Sequence, residues 1–381
     1  MKLININMRV FMASKVVSAE ALRRGEYVLH RAEHLRETYR RYIGGLDSYS
    51  GNFKLNFYPY ANLDRLKGIS PEVDEKVAQV DEIADNVEAA SNILRYPLKH
   101  NRAHMPKRMR QVALGVLKGE KNPFRTIWHV KDLGQGVYGK VTEVEVGGEE
   151  YALKRMRVDA AENIEAFDQE YEAITELEGP HILKVAYATS EQLFLELAPY
   201  GTLEERLPHL DSKQVSTVLM QMAEGLVDIH AKGWYHGDLH LGNLFFVKED
   251  EVKIGDFGLS RPIERFKEGQ KWEGEWGHLP PEFYEGKLLR EDCQKMDVWS
   301  FGIVLWFCLR KEIVDTPYGA WDKETGFNKD YLMKQLDERK CRALDPGGVL
   351  RELILSSLSK DPKARPSMTS VLEILRASSS V

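Results

Sequence analysis

Cysteine is scarce in this sequence, and long apolar runs are missing. Only three cysteines occur among 381 residues. Cys293, Cys308 and Cys341 lie far apart and form no CxxC pair, which argues against a disulfide framework and for reduced thiols in a cytoplasmic setting. The longest apolar stretch, GIVLWFCL from Gly302 to Leu309, is far short of the ~20 residues that a membrane-spanning helix needs. The N-terminal MKLININMRVFMASK interrupts its apolar residues with Asn and Arg, so a secretory leader is not expected. Internal repeats and low-complexity tracts are also missing. What is present, 43% hydrophobic and 29% charged residues, describes a globular chain long enough for one large domain and a smaller one.

Charge is unevenly spread, which the net value of −6 conceals. Residues 1–126 hold 22 Lys and Arg against 14 Asp and Glu, a balance of +8; the remainder holds 31 against 45, a balance of −14. The two halves are expected to attract, and the N-terminal region to dock on the rest. Residues 18 to about 42 set polar and basic residues around Ala21, Leu22, Val28, Leu29 and Leu35, the pattern of an exposed helix. Gly, Asn and Pro in DSYSGNFKLNFYPYANLD then break it. A second helix is predicted from about Pro71 to Leu94, with Ser70 and Pro71 as N-cap and first residue. Its apolar stripe of Val73, Val77, Val80, Ile83, Val87 and Ala90 needs a partner surface. Further on, residues 98–110 gather Lys99, Arg102, Lys107, Arg108 and Arg110. This is a solvated basic connector or, alternatively, a contact for a membrane surface or for the acidic half. It is no strong signal for nucleic acid. Residues 1–126 are read as a mostly α-helical accessory region, regulatory or targeting, without a chemical motif.

LGQGVYGKV, Leu133 to Val141, contains GxGxxG, which is shared with dinucleotide-binding folds and weak by itself. The neighbouring residues decide between the two. A dinucleotide-binding turn leads into a helix, whereas here Val141, Val144 and Val146 run into Gly147-Gly148 and then EEYALKRM, the pattern of a hairpin. On such an antiparallel ribbon Gly134, Gly136 and Gly139 let backbone approach phosphate oxygens with no Cβ in the way. Gln135, Val137, Tyr138 and Lys140 complete the stretch, with Tyr138 at the tip. On the return strand Ala152 and Lys154 share one face, opposite Tyr151 and Leu153, so Lys154 can reach phosphates beneath the loop. A helix with the stripe Phe167, Tyr171, Ile174 and Leu177 carries Glu170 on the same face. Glu170 is assigned as the partner of Lys154; Glu172 is turned away from that face.

With YALK and LFLELAPYGTL added, the chain from about Thr126 to Leu375 resembles a eukaryotic-type protein kinase domain. The resemblance implies an α+β, bilobal protein-kinase-like fold over residues 127–377. A small N-lobe of about residues 127–197 holds an antiparallel sheet and one helix; a larger helical C-lobe covers about 198–377. It also implies ATP and Mg²⁺ as cofactors and a protein substrate. Leu195 takes the gatekeeper position, and Glu196 and Ala198 offer backbone groups to adenine. A helical stripe of Val215, Val218, Leu219, Met222, Leu226 and Ile229 ends near Gly233 and delivers YHGDLHLGN as a loop. There Asp238 resembles the catalytic base, assisted by Lys154 and Glu170, and Asn243 resembles a metal ligand. Asp256 of IGDFGLS, eighteen residues after Asp238, resembles the other metal ligand. GEWGHLPPEF, DVWSFGIVLW and LSKDPKARPS resemble the rest of the C-lobe. By that likeness Glu282 pairs with Arg365, and Asp297 ties the catalytic loop to a central helix.

Two departures from the family pattern bear on control and substrate. Gly237 stands where an Arg usually precedes the catalytic Asp, and His240 where Ser/Thr kinases carry a Lys. In kinases switched by phosphorylation that Arg receives the phosphate of the activation segment. Residues 256–282 contain no Thr and no Tyr, and their single Ser is Ser260; Glu275 falls where a Thr is usual. Donor and receptor are absent together, which implies a kinase that needs no activating phosphate. Because HGDLHxxN is similar to the loop of aminoglycoside and choline phosphotransferases, a small-molecule phosphotransferase is the first alternative and a pseudokinase scaffold the second. A bacterial effector delivered into a host cell is the alternative to an ordinary cytoplasmic protein.

Overall fold

The N-terminal helices form because their apolar residues recur at helical spacing and find one another. The computed structural model describes residues 19–44, 67–99, 106–135, 139–156, 161–267, 276–311, 321–322, 326–327, 331, 334–335 and 348–379. Helices α1 (Ala19–Gly44), α2 (Pro71–Lys99) and α3 (Lys107–Leu117) pack on each other. All six stripe residues of α2 are buried, as are Val28 and Ala32 on α1 and Met109, Val112 and Val116 on α3. The stripe thus has its partner, and α1, expected to be exposed, buries part of one face. The Ser70 hydroxyl accepts the Val73 N–H at 3.3 Å, which caps α2 as its sequence predicts.

A single turn of 3-10 helix, Pro123–Arg125, leads from α3 into a five-stranded antiparallel sheet. Its strands are β1 (Trp128–Gln135), β2 (Gly139–Val146), β3 (Glu149–Met156), β4 (Val185–Ala188) and β5 (Gln192–Glu196), in the order β1-β2-β3-β5-β4. Gly147 and Gly148 have φ of 62° and 82°; two positive values in succession are what a tight hairpin turn demands. Phe124 enters this sheet as a plug. Its ring stacks on Tyr187 at 4.0 Å and meets Phe194 edge-on at 4.9 Å. Arg108 of α3 reaches Glu149 of β3 at 2.9 Å.

The chain divides into two compact units, the first drawing on Met1–Gly134, Val141–Arg155 and Ala186–Phe194, the second on Gln135–Lys140, Met156–Val185 and Leu195–Val381. Helix α4 (Ala161–Glu176) therefore belongs to the second unit. So do α5 (Leu203–Arg206), α6 (Ser212–Ala231), α7 (Pro281–Tyr284), α8 (Cys293–Arg310) and two further helices, Val349–Ser357 and Met368–Ser379. Asp211 caps α6 in a reciprocal box with Gln214, and its predicted stripe from Val215 to Ile229 is buried. Helix α8 is apolar on every side and buried along nearly its whole length, the mark of a core helix. Among the described residues no helix is long and apolar enough to cross a membrane.

Candidate active site

Two short ribbons bracket the loop that carries Asp238. On one side β6 (Trp234–Tyr235) pairs with β9 (Arg261–Pro262); on the other β7 (Leu244–Lys248) pairs with β8 (Glu251–Ile254). Beneath the loop lies Asp297 of α8, almost fully buried. Its Oδ2 accepts the His236 N–H at 2.8 Å and faces His230 Nε2 at 2.8 Å, while Oδ1 accepts the Gly237 N–H at 2.9 Å. One carboxylate thus holds two successive backbone amides, as expected for this residue. Gly237 adopts φ of 80°, a conformation that costs any residue with a Cβ about 1 kcal/mol or more. Its place in the sequence has a local reason, quite apart from any phosphate receptor.

His236 joins the segment of Asp238 to the segment of Asp256, a role the sequence did not disclose. The Asp238 N–H donates to its Nδ1 at 3.2 Å, which leaves Nε2–H to donate to the Gly255 carbonyl at 3.2 Å. Desolvation holds its pKa below the ordinary value, against the opposing pull of Asp297 and Asp238. The ring is therefore a neutral bridge. Asn243 donates Nδ2 to the Asp238 carbonyl at 2.8 Å and to its Oδ2 at 3.3 Å, and the Gly255 N–H returns to the Asn243 carbonyl at 2.9 Å. A Cβ on Gly255 would sit 2.9 Å from the Phe245 ring, so only glycine lets the strand come this close. The next residue, Asp256, has φ of 59°. Strain of this kind in a non-glycine residue persists only where the surroundings enforce it, and it concentrates at functional sites. Asp238 and Asn243, singled out separately in the sequence, are hydrogen-bonded to each other, and Asn243 is bonded in turn to Gly255, the chain neighbour of Asp256.

His240 stands beside it. Its Nδ1 accepts the Gly242 N–H at 3.1 Å, and its Nε2 lies 3.9 Å from Asp238 Oδ2, close enough for electrostatic influence but too far for a hydrogen bond. His278 faces it at 5.9 Å between ring centres; desolvation, with a smaller push from His240, drives the His278 pKa down to about 3. Ser260 is buried, and its hydroxyl donates to the His236 carbonyl at 2.9 Å. Glu282 and Arg365 form the bidentate pair that the sequence implied, at 2.7 Å on both arms. Arg365 also donates to the carbonyls of Ser359 and Lys295 and lies 5.0 Å over Trp299.

On β3, Tyr151 and Leu153 are buried while Ala152 and Lys154 are half-buried on the other face, as the alternation predicted. Glu170 is buried on α4 with Phe167, Tyr171 and Ile174, and Leu177 is buried just beyond the helix. Glu172 is indeed turned elsewhere, but not to solvent: it accepts a hydrogen bond from Arg265 at 2.7 Å. At the last residue of β5, the Glu196 N–H donates to the Lys184 carbonyl at 2.8 Å, and its carboxylate receives the buried Lys253 ammonium at 2.8 and 2.9 Å. Neither Lys253 nor Arg265 stood out in the sequence. Leu133, Gly134 and Lys140 are exposed, whereas Gly139 and Val141 are not. The side chain of Gln135, and Gly136, Val137, Tyr138, Glu275 and Cys341, lie outside the described residues.

A family model described as the protein kinase domain matches residues 128–374, and the chain belongs to that family. Among curated relatives, it is 29% identical over 254 residues to a probable cell cycle serine/threonine-protein kinase CDC5 homolog of Encephalitozoon cuniculi, covering 64% of this chain and 52% of that protein. It is 29% identical over 276 residues to a leaf rust 10 disease-resistance locus receptor-like protein kinase-like protein of Arabidopsis thaliana, covering 65% and 39%. The mouse interferon-induced, double-stranded RNA-activated protein kinase is 25% identical over 277 residues, covering 65% and 50%. The chain thus spans about half or less of the length of these relatives.

Proposed function

We propose that this chain is an ATP- and Mg²⁺-dependent protein kinase that phosphorylates Ser or Thr hydroxyls and needs no activating phosphate. The observation that carries the chemistry is the bonding of Asp238, Asn243 and Gly255–Asp256 into one unit. Asp238, held by Asn243 Nδ2 and by its own N–H on His236, accepts the proton of the substrate hydroxyl. The hydroxyl oxygen bonds to the γ-phosphorus as the bond to the β,γ-bridging oxygen breaks, and ADP leaves with that electron pair. With Asn243 Nδ2 committed to Asp238, its amide oxygen is the atom it offers a cation, alongside the Asp256 carboxylate. Two such oxygens fit a small hard divalent ion that takes its remaining ligands from water and phosphate. When bound, Mg²⁺ supplies charge neutralisation on the phosphate oxygens.

Lys154 is assigned to the phosphates, together with the glycine stretch 133–141, and Glu170 is the residue assigned from the sequence as its partner. Gly134 supports this reading: its φ is not positive, and an added Cβ would meet nothing within 4 Å. Among the described residues no packing demands glycine there, while close approach of a ligand would. Backbone groups of Glu196 and Ala198 are assigned to adenine. A protein substrate is favoured over a small molecule by the buried Glu282–Arg365 pair, which braces the shelf before α7. Independence from activating phosphorylation is supported by Ser260, whose hydroxyl is buried and hydrogen-bonded, and by the lack of Thr and Tyr in residues 256–282. Buried free thiols at Cys293 and Cys308, both pushed up to about 12 by desolvation, suit a cytoplasmic setting.

Residues 1–126 are proposed to dock on the kinase sheet through Phe124 and Arg108, so that apolar contact outweighs the charge asymmetry. Arg108 is then engaged within the chain, which weighs against a membrane role for residues 98–110. Radiolabelled ATP with panels of proteins and small molecules, beside Asp238→Ala, tests the function. Label on serine or threonine of protein targets is expected. Label on small molecules alone, or none with the native chain, overturns the reading.

A further inference from the structure

Helix α4 ends with the wrong charge. Its second half carries Glu170, Glu172 and Glu176, and its last turn holds no basic residue, although the partial negative charge of a helix C-terminus favours cations. Two cations from distant parts of the second unit answer this. Lys232, the residue that ends α6, places its ammonium on the Glu176 carbonyl oxygen. Arg265, nine residues beyond Asp256, donates Nη1 to Glu172 Oε2 at 2.7 Å, with the Glu172 side chain only 12% exposed.

Arg265 is not on a loose strand. It closes a turn of 3-10 helix, Ile263–Arg265, whose start is tied by the Ile263 N–H to the Gly233 carbonyl at 2.8 Å. The next residue, Phe266, is buried and meets Tyr235 edge-on at 6.3 Å. Just upstream, Arg261 pairs with Tyr235 across the β6–β9 ribbon. The guanidinium therefore projects from a braced segment onto α4. Two residues along a helix turn through roughly 200°, so Glu172 faces this segment while Glu170 is left for a different partner.

We propose that Arg265 is a positioning residue: its ion pair with Glu172 clamps the activation segment to α4 and thereby fixes the helix that carries Glu170. A phosphate switch adds negative charge to the segment to meet a cation elsewhere. Here the signs are reversed and permanent, with the cation on the segment and the carboxylate on the helix. The clamp rests on the kinase reading only for its effect on turnover; its effect on α4 stands apart from that reading.

The test compares the full chain with Arg265→Ala, Glu172→Gln, Arg265→Lys and the reversed pair Glu172→Arg with Arg265→Glu. Amide hydrogen exchange is followed in residues 161–176, with α8 as an internal control, beside steady-state kinetics for ATP and a protein substrate. Arg265→Ala and Glu172→Gln are expected to speed exchange in α4 and lower kcat, each by about threefold to tenfold, the range for a partly exposed ion pair with one buried partner. Exchange in α8 and KM for the protein substrate should hold. Arg265→Lys and the reversed pair should recover at least half of either loss. Native exchange in α4 of Arg265→Ala, faster exchange in α8 as well, or no recovery in the reversed pair overturns the clamp. If the native chain transfers no phosphate, the kinase reading fails, and the exchange data alone judge the clamp.

Discussion

The loop of Asp238 and the N-terminal helices are held by opposite means. Around residues 236–243 nearly every placement is a directed polar bond: Asp297 to two amides, His236 to Asp238 and Gly255, and Asn243 to Asp238. In α1–α3 the work is done by buried Val, Ile, Ala and Met, with ion pairs such as Lys76–Glu26 at 3.9 Å left at the periphery. Apolar stripes ensure that elements associate but tolerate shifts of a few tenths of an ångström. Polar networks place atoms, and they do so at the risk of stranding a buried group when one partner is lost. Chemistry needs the second kind of order.

The largest effect expected is on turnover. Asp238→Ala and Asp256→Ala should each reduce transfer by about a thousandfold or more while thermal melting stays close to that of the native chain, because the loop keeps its main anchors, Asp297 on two amides and His236 on the Gly255 carbonyl. Normal turnover by Asp238→Ala at matched metal and ATP would break the catalytic assignment. Next come two variants that set the regions directly against each other. Asp297→Ala should cost about 3 kcal/mol or more, since it strands two buried amides, and should depress kcat in the molecules that remain folded. Phe124→Ala should cost about 3–5 kcal/mol as a core truncation and leave kcat per folded molecule unchanged. Urea unfolding followed by assay of the folded fraction checks both. A kcat loss in Phe124→Ala equal to that in Asp297→Ala would erase the contrast.

Acid should act on the polar region first. His278, driven down to about 3, and His236, also depressed, are neutral in the fold; unfolding returns them to about 6.5. Below that value the unfolded chain binds protons that the native chain does not, so stability falls as pH falls, continuing toward about 3. Stability from these groups is complete above about 6.5. Melting measured from neutral pH downward should show the decline, and His278→Asn should make it shallower. A profile flat across this window contradicts the burial argument. The smallest effects concern control. Ser260→Ala should cost about 1 kcal/mol for one hydrogen bond and leave activity insensitive to phosphatase. Gly237→Arg, forced into positive φ, should lose about 1–2 kcal/mol and gain no activity; stimulation by phosphorylation in either variant would restore the phosphate switch.

Local, periodic signals were legible. The α2 and α6 stripes, the Ser70 cap, the Gly147-Gly148 turn and the alternation of Ala152 and Lys154 all follow from spacing within a dozen or so residues, the range over which backbone geometry alone relates side chains. Motif spacing singled out Asp238, Asn243 and Asp256, and it paired Glu282 with Arg365 across 83 positions only because the family resemblance was strong. Where resemblance was silent, long-range partners stayed hidden. Nothing near Glu172 in the chain points to Arg265, 93 residues away. Lys253 reads as an ordinary exposed strand residue until Glu196 is seen beside it, 57 positions earlier.

Composition and order of residues therefore settled which local elements form and singled out the atoms proposed to do chemistry, since both depend on neighbours in the chain. Only the tertiary structure decided the tautomer of His236, the left-handed turn at Asp256, the engagement of Arg108 with Glu149 and the attachment of α4 to the activation segment. Each of these depends on a single distance between groups far apart in the chain, and a distance of that kind exists only once the chain has folded.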